Sequence, residues 1–218
     1  MEVENKRILI QGTNVLGVSL DEKALDAFDL FLKELLKWNQ KINLTAIRTE
    51  KAIITKHFLD SLSICPYLPK ASSILDIGSG AGFPGLPLKI VDPASKVTLI
   101  DSVRKKVDFQ RHMIRRLGLS GIEAIHGRVE HVEILRRLGC CFDCVLSRAF
   151  SDLETFLGLS SPFLKKGGIA LSMKGELKEE EIQAADREER VRYRMQKIVK
   201  ITLPFTSLKR TILLFKKQ

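Results

Sequence analysis

"ILDIGSGAGFPGLPL", Ile74 to Leu88, sets an aspartate ahead of three alternate glycines, Gly78, Gly80 and Gly82. An apolar run that ends in such a turn and continues as a helix reads as the first strand and helix of a nucleotide-type α/β sheet. Two phosphate-bearing ligands fit poorly. Gly80 and Gly85 have the spacing of a phosphate loop, but Leu86 and Pro87 stand where Lys and Ser/Thr must be, so nothing clamps the β- and γ-phosphates. A dinucleotide fingerprint starts at Gly78-x-Gly80, yet its third glycine is Phe83, followed by Pro84. That glycine normally lets helix and strand pack closely under a pyrophosphate, so a phenylalanine there argues against NAD.

The pattern D-x-G-x-G-x-G, Asp76 through Gly82, fits better. Asp76 at the end of the strand is expected to point into the cleft beyond the sheet, where an acid suits a cationic cofactor such as S-adenosylmethionine with its α-ammonium. The glycines allow close backbone approach and positive φ, and Pro84 suits the first helical turn. Asp101 ends the next strand-like run and is expected to accept hydrogen bonds from both ribose hydroxyls; NAD sites use such an acid too, so the combination favours S-adenosylmethionine.

Outward from this turn, short apolar runs alternate with helical stretches. SSILDIG, KVTLIDS, IEAIHGR, FDCVLSRA and GIALSMKG read as strands, separated by "RKKVDFQRHMIRRLG", "VEHVEILRRL" and "LETFLGLSSPFL". Such alternation predicts βαβ units and a parallel sheet with helices on both faces. A long charged helix is expected from about Leu177 to Met195, followed by "KIVKITLP" and "RTILLFKK". These last two runs are too close for a crossover helix and should pair antiparallel at one edge. Ahead of the sheet, residues 21–42 read as an amphipathic helix with Leu25, Phe28, Leu32 and Leu35 on one face, capped by Asp21; a second helix runs from Thr49 to about Cys65 and stops before Pro66. The expected organisation is a helical cap, 1–70, and an α/β core, 71–218, with five parallel strands and a C-terminal antiparallel hairpin.

The chain has 218 residues, 44% hydrophobic and 28% charged, which excludes disorder as its default. Its start is polar, unlike a secretory signal, and no apolar run is long enough to span a bilayer, so a cytoplasmic protein without membrane contact is expected. Cys141 and Cys144 form a C-x-x-C with no second pair and no His-x-x-x-His to complete a zinc set; with Cys140 they read as small reduced hydrophobes entering a buried strand. His126 and His131 fall off any metal spacing, and no metal site is expected. A formal charge of +10 points to a polyanionic partner. Without an obvious apolar face, the chain is expected to be monomeric.

At the end of the third strand, "HGRVEH" places Val129 and Glu130 where an adenine edge would lie, an apolar wall beside an acceptor for its amine. At the end of the fourth, "SRAF" contributes Ser147, Arg148 and Phe150. Neither an N-P-P-Y motif for amino-group methylation nor a Pro-Cys for attack on a pyrimidine is present. The residues suit an acceptor that is already nucleophilic, such as a ring nitrogen with a free lone pair. That chemistry needs in-line positioning, which supplies about 7–11 kcal/mol, and no catalytic side chain.

With these residues assembled, the chain resembles the bacterial RsmG (GidB) family of small-subunit ribosomal RNA guanine-N7 methyltransferases. "WNQKINLTAI", "HFLDSL", "LDIGSGAGFPGLPLKI", "HGRVE", "SRAF" and "MKG" match its signatures in order over nearly the whole chain. The resemblance implies a class I S-adenosylmethionine-dependent methyltransferase fold, a Rossmann-like seven-stranded sheet. It implies methylation of a guanosine N7 in the 530 loop of 16S rRNA, free or within the 30S subunit, with Gly78, Phe83, Val129, Glu130 and Arg148 as cofactor contacts. Arg128 and Arg210 are the candidate RNA contacts, both expected near the cofactor-end rim and within reach of phosphate or a guanine O6 edge. The basic run Arg104, Lys105, Lys106, Arg111, Arg115 and Arg116 is a weaker candidate. Two competing readings remain: an NAD(P)-dependent oxidoreductase, disfavoured by Phe83, and a non-catalytic RNA-binding module, disfavoured by the Asp76–Gly82 turn with Asp101.

Overall fold

The computed structural model of the chain describes residues 1–148, 152–177, 180–181 and 192–218. Seven strands, β1 (Ser73–Ile77), β2 (Lys96–Asp101), β3 (Ile122–His126), β4 (Phe142–Ser147), β5 (Leu164–Lys174), β6 (Tyr193–Thr202) and β7 (Lys209–Lys217), form one sheet in the order β3-β2-β1-β4-β5-β7-β6. The first five run parallel, with Asp76 opposite Leu99 on β2 and Leu146 on β4. β7 pairs antiparallel with both β5 and β6, as the short connection requires. The chain leaves β1 toward β2 on one side and returns to β4 on the other. That reversal opens a crevice at the carboxyl ends of β1 and β4.

Alternation along the strands divides the core into two layers. Ile74, Val97, Leu99, Cys144, Leu146, Leu171, Ile212 and Leu214 face one side; Leu75, Ile77, Ile100, Val145, Ala170, Leu213 and Phe215 face the other. The second layer is covered by α7 (Val132–Leu138) and α8 (Leu153–Ser160) through Ile134, Leu138, Phe156 and Leu157. The first is covered by α5 (Gly85–Val91) and α6 (Arg104–Arg116), and over them by the amino-terminal helices.

Those helices are α1 (Val3–Val15), α2 (Glu22–Asn39) and a bent segment built from α3 (Glu50–Ile53), a π-helical turn (Ile54–Leu59) and α4 (Asp60–Leu62). Asp21 caps α2 by accepting from the Ala24 N–H at 2.7 Å. The helix stops at Asn39, short of the expected residue 42, because the Asn39 side chain accepts from Leu44 and Thr45 N–H and donates to the Thr45 carbonyl. Those bonds close a tight loop that periodicity does not register. α1, whose sequence is mostly polar, lies against the π-turn, and a Cβ on its Gly12 would come within 2.4 Å of Leu59 Cδ1. Trp38 packs edge-on against Phe109 and on His112, which binds Glu34 at 2.7 Å, so α2 and α6 are clasped. One continuous hydrophobic cluster therefore joins residues 1–70 to the sheet.

Two sequence expectations need revision. Tyr193–Met195 belong to β6 rather than to the end of a charged helix; most of that segment, like Phe150, falls outside the described residues. Of the clustered cysteines only Cys144 is buried in β4, while Cys140 and Cys141 are exposed in the turn before it. Among the described residues no helix is long and apolar enough to cross a membrane.

Candidate functional site

The glycine turn is held rigidly at the mouth of the crevice. Gly78 and Ser79 N–H donate to the Ile100 carbonyl at 2.9 and 3.1 Å. Gly80 N–H donates to Asp101 Oδ2 at 2.8 Å, and Gln110 Nε2 donates to the Gly80 carbonyl at 2.7 Å. Gly80 has φ of +59°, and the space where its Cβ would stand is empty, so the backbone is both left-handed and bare on the crevice side. Gly82 is required for a different reason: its φ is +92°, and a Cβ would lie 2.3 Å from Leu86 Cδ1.

Beside this turn Gly78, Asp101, Arg128, Val129 and Glu130 line a cleft of about 250 Å³. Asp101 is 6% exposed; its two oxygens accept from Gly80 and Val103 N–H, each at 2.8 Å, which fixes the carboxylate at the strand end. Val129 is buried as an apolar wall, and Arg128 and Glu130 are exposed at the rim. The sequence-predicted ribose and adenine residues thus meet in one place.

Across the crevice, Arg148 follows β4. Its Nη2 donates to His57 Nδ1 at 3.2 Å, its guanidinium lies 5.2 Å from the centre of the Phe83 ring, and Nη1 sits 3.6 Å from Asp60 Oδ2. Nη1 is buried without a hydrogen-bond partner. His57 stacks on Phe83 at 4.5 Å and pairs through Nε2 with Thr45 Oγ1 at 2.8 Å. Burial, reinforced by the Arg148 charge, pushes the His57 pKa down to about 3. The neutral ring therefore accepts at Nδ1 and donates from Nε2, a tautomer set by its two partners.

Thr45, His57 and Asp60 were visible in the sequence only inside the "WNQKINLTAI" and "HFLDSL" signatures, without roles. The available signal was a histidine and an aspartate three apart in a helix that is otherwise apolar on that face. Asp60 is 2% exposed and accepts from Arg210 Nε at 2.9 Å and Nη2 at 3.4 Å. Arg210 is thus committed to an ion pair next to Arg148, while Arg128 stands at the other cleft; the two candidate RNA arginines do not share one rim.

Asp76 is also placed differently from expectation. It lies on the same sheet face as Ile74, fully buried under α5, with Oδ2 accepting from Gly85 N–H at 2.9 Å and Oδ1 without a partner. Burial is the main cause that raises its pKa to about 7; the Gly85 N–H and Arg148 work against it and Asp101 with it. Ser147 donates to the Ile77 carbonyl at 2.8 Å and ties β4 to β1. Of the basic run on α6, Arg111 donates to the Ala124 carbonyl and Arg116 lies 3.8 Å from Glu34, whereas Lys106 lines the pocket at the glycine turn. A larger cavity, about 550 Å³, opens at the opposite end of the sheet around Cys65, Ile74 and Ser95, away from the carboxyl ends where open α/β sheets bind ligands. Among the described residues no group of His, Cys, Asp or Glu is arranged to hold a metal.

These features fit a phosphate-free nucleoside cofactor. The bare backbone at Gly78 and Gly80 leaves room for close approach, and the 250 Å³ cleft offers a fixed carboxylate and an apolar wall. Comparison with known proteins agrees. Residues 24–212 match the family model described as rRNA small subunit methyltransferase G. The chain is 43% identical to the ribosomal RNA small subunit methyltransferase G of Geobacter metallireducens, over 98% of this chain and 96% of that one. It is 39% identical to the protein of the same name from Acetivibrio thermocellus, over 99% and 90%. Among solved structures, TYW2 from M. jannaschii, in complex with AdoMet, superposes with a TM-score of 0.58 at 16% identity, over 81% of this chain and 80% of that one. A SAM-dependent methyltransferase from Aquifex aeolicus does so with a TM-score of 0.57 at 16% identity, over 75% and 92%.

Proposed function

The chain belongs to the rRNA small subunit methyltransferase G family, and from that premise we propose that it methylates N7 of a guanosine in the 530 loop of 16S rRNA by in-line displacement. Its fold is the class I S-adenosylmethionine-dependent methyltransferase fold, and S-adenosylmethionine is the cofactor. Bound, that cofactor supplies an electrophilic methyl group on a sulfonium. Gly78 and Gly80 leave its backbone-side clearance, Gly82 lets the turn close against Leu86, Asp101 receives the ribose, Val129 and Glu130 border the adenine, and Phe83 and Arg148 close the opposite wall. Asp76, placed under α5, contributes through the turn it anchors at the Gly85 N–H.

The observation that carries the acceptor assignment is the state of His57. It lines both pockets that Arg148 borders, yet its Nδ1 already accepts from Arg148 and its pKa lies at about 3. It is therefore unsuited to remove a proton near neutral pH. Asp60 is likewise paired with Arg210. Guanine N7 carries a free lone pair and needs no deprotonation, which agrees with side chains that orient and exclude water rather than take up a proton.

The test is incubation with methyl-labelled S-adenosylmethionine and unmodified 16S rRNA, free and within 30S particles, followed by borohydride and aniline cleavage at 7-methylguanosine. One label-dependent break in the 530 loop is the expected result and also tells which form of the RNA is used. A label-dependent break elsewhere would remove the 530-loop assignment, and label incorporated without any break would remove the N7 assignment; either outcome leaves the methyltransferase.

A further inference from the structure

A separate cavity, about 370 Å³, lies on the far side of Arg148, between the ends of β4, β5 and β7 and the π-turn. Lys56, Arg148, Lys174 and Arg210 all line it, and Asp60 is the one carboxylate among its described lining residues. Both Asp60 oxygens are engaged by Arg210, and the neutral His57 adds no charge. Asp152 and Glu181 offset part of the Lys174 charge from outside the cavity. The enclosed field is still strongly positive, which attracts an anion. Among the described residues no phenylalanine, tyrosine or tryptophan lines this cavity, and its one aromatic ring, His57, is already stacked on Phe83. It has instead what a phosphate takes: ammonium groups, a guanidinium with donors to spare, and Arg148 Nη1, buried without a hydrogen-bond partner.

We propose that this cavity seats a phosphodiester of the RNA strand beside the acceptor nucleotide, with Lys56, Lys174 and Arg210 as its cationic contacts. The inference rests on the reading of RNA as substrate and adds where the strand is gripped. Arg148 and His57 line both this cavity and the pocket at the glycine turn, so these two side chains separate the phosphate seat from the cofactor. Asp60 is a positioning residue: it holds Arg210 in the wall by its two hydrogen bonds.

The experiment is equilibrium binding of unmodified 16S rRNA to the full chain and to Lys56→Gln and Lys174→Gln, between about 50 and 200 mM KCl. Each lost phosphate contact on a single strand lowers the slope of log K against log salt by about 0.7. The expected result is that drop for each variant, with S-adenosylmethionine affinity by calorimetry unchanged. An unaltered slope overturns the proposal. So does weakened S-adenosylmethionine binding with the slope intact, which would assign the cavity to the cofactor. A wild-type chain that binds the cofactor but neither binds nor methylates the RNA would instead refute the underlying substrate reading.

Discussion

Asp60→Asn removes the charge that two arginines share while keeping the shape of the side chain. Asp60 is 3% exposed as a side chain, against 22% for Arg148 and 21% for Arg210. The amide still accepts once from Arg210, but its NH2 then opposes the donor that Asp60 Oδ2 receives at 3.4 Å. Removing one partner of a fully buried ion pair costs about 3–5 kcal/mol. Here the arginines border an open cavity and retain partial solvation, so the low end, about 3 kcal/mol, is expected. For a chain of this size that corresponds to a fall in Tm of about 6–12 °C. Urea unfolding followed by circular dichroism measures it directly, with the m-value unchanged. A cycle with Arg210→Gln should return a coupling above about 0.5 kcal/mol. A loss below about 1 kcal/mol with no coupling would mean that Asp60 behaves as a surface ion pair and that nothing in the arginine wall depends on it.

Four other outcomes follow from the same geometry. His57 binds no proton in the folded state until about pH 3, whereas the unfolded chain does so near 6.5, so stability is lost as pH falls below 6.5; by pH 5 the loss is about 2 kcal/mol, and His57→Gln should lack it in paired urea titrations at pH 7 and 5. Asp76 has the opposite sign. Its folded pKa of about 7 exceeds the unfolded value, so stability falls as pH rises from about 4 to 7, by an amount on the order of 4 kcal/mol, and Asp76→Asn should flatten that part of the stability–pH curve. Gly82→Ala, which forces a Cβ to 2.3 Å from Leu86 at a φ of +92°, should lower stability by about 1–3 kcal/mol in thermal unfolding. Arg128→Ala, at an exposed rim, should reduce methyl transfer to rRNA while S-adenosylmethionine affinity stays within a few-fold; equal loss of both would assign Arg128 to the cofactor.

β1, β2 and β4 were legible because each is buried on both faces, the pattern a central parallel strand imposes, whereas the edge strand β6 is largely exposed and its first residues read as the end of a charged helix. α1 was not singled out, because Ile8, Leu9 and Gly12 supply too little apolar periodicity for a helix whose contact depends on a missing side chain. At the site, Gly78, Asp101, Val129 and Glu130 follow from position alone, since strand ends at a reversal of the sheet must share a crevice. Position could not say where Asp76 and Arg210 point. The first is captured by the Gly85 N–H and the second by Asp60, a residue far away in sequence. Such captures depend on how the amino-terminal helices dock, which no local pattern encodes.

Phe83 brings these threads together. In the sequence it is the residue that spoils the dinucleotide fingerprint. In the structure it is 3% exposed, stacked at 5.2 Å on Phe31 from α2, at 4.5 Å on His57 from the π-turn, and covered by the Arg148 guanidinium. A glycine at this point serves a pyrophosphate by letting helix and strand approach. A cofactor without phosphates releases that constraint, and the position becomes available for a large side chain. The ring then supplies what binds the amino-terminal helices to the cofactor turn, and it carries His57 and, through it, Arg148 to the edge of the crevice. The residue that breaks the dinucleotide pattern is thus the same one that packs the amino-terminal helices onto the glycine turn.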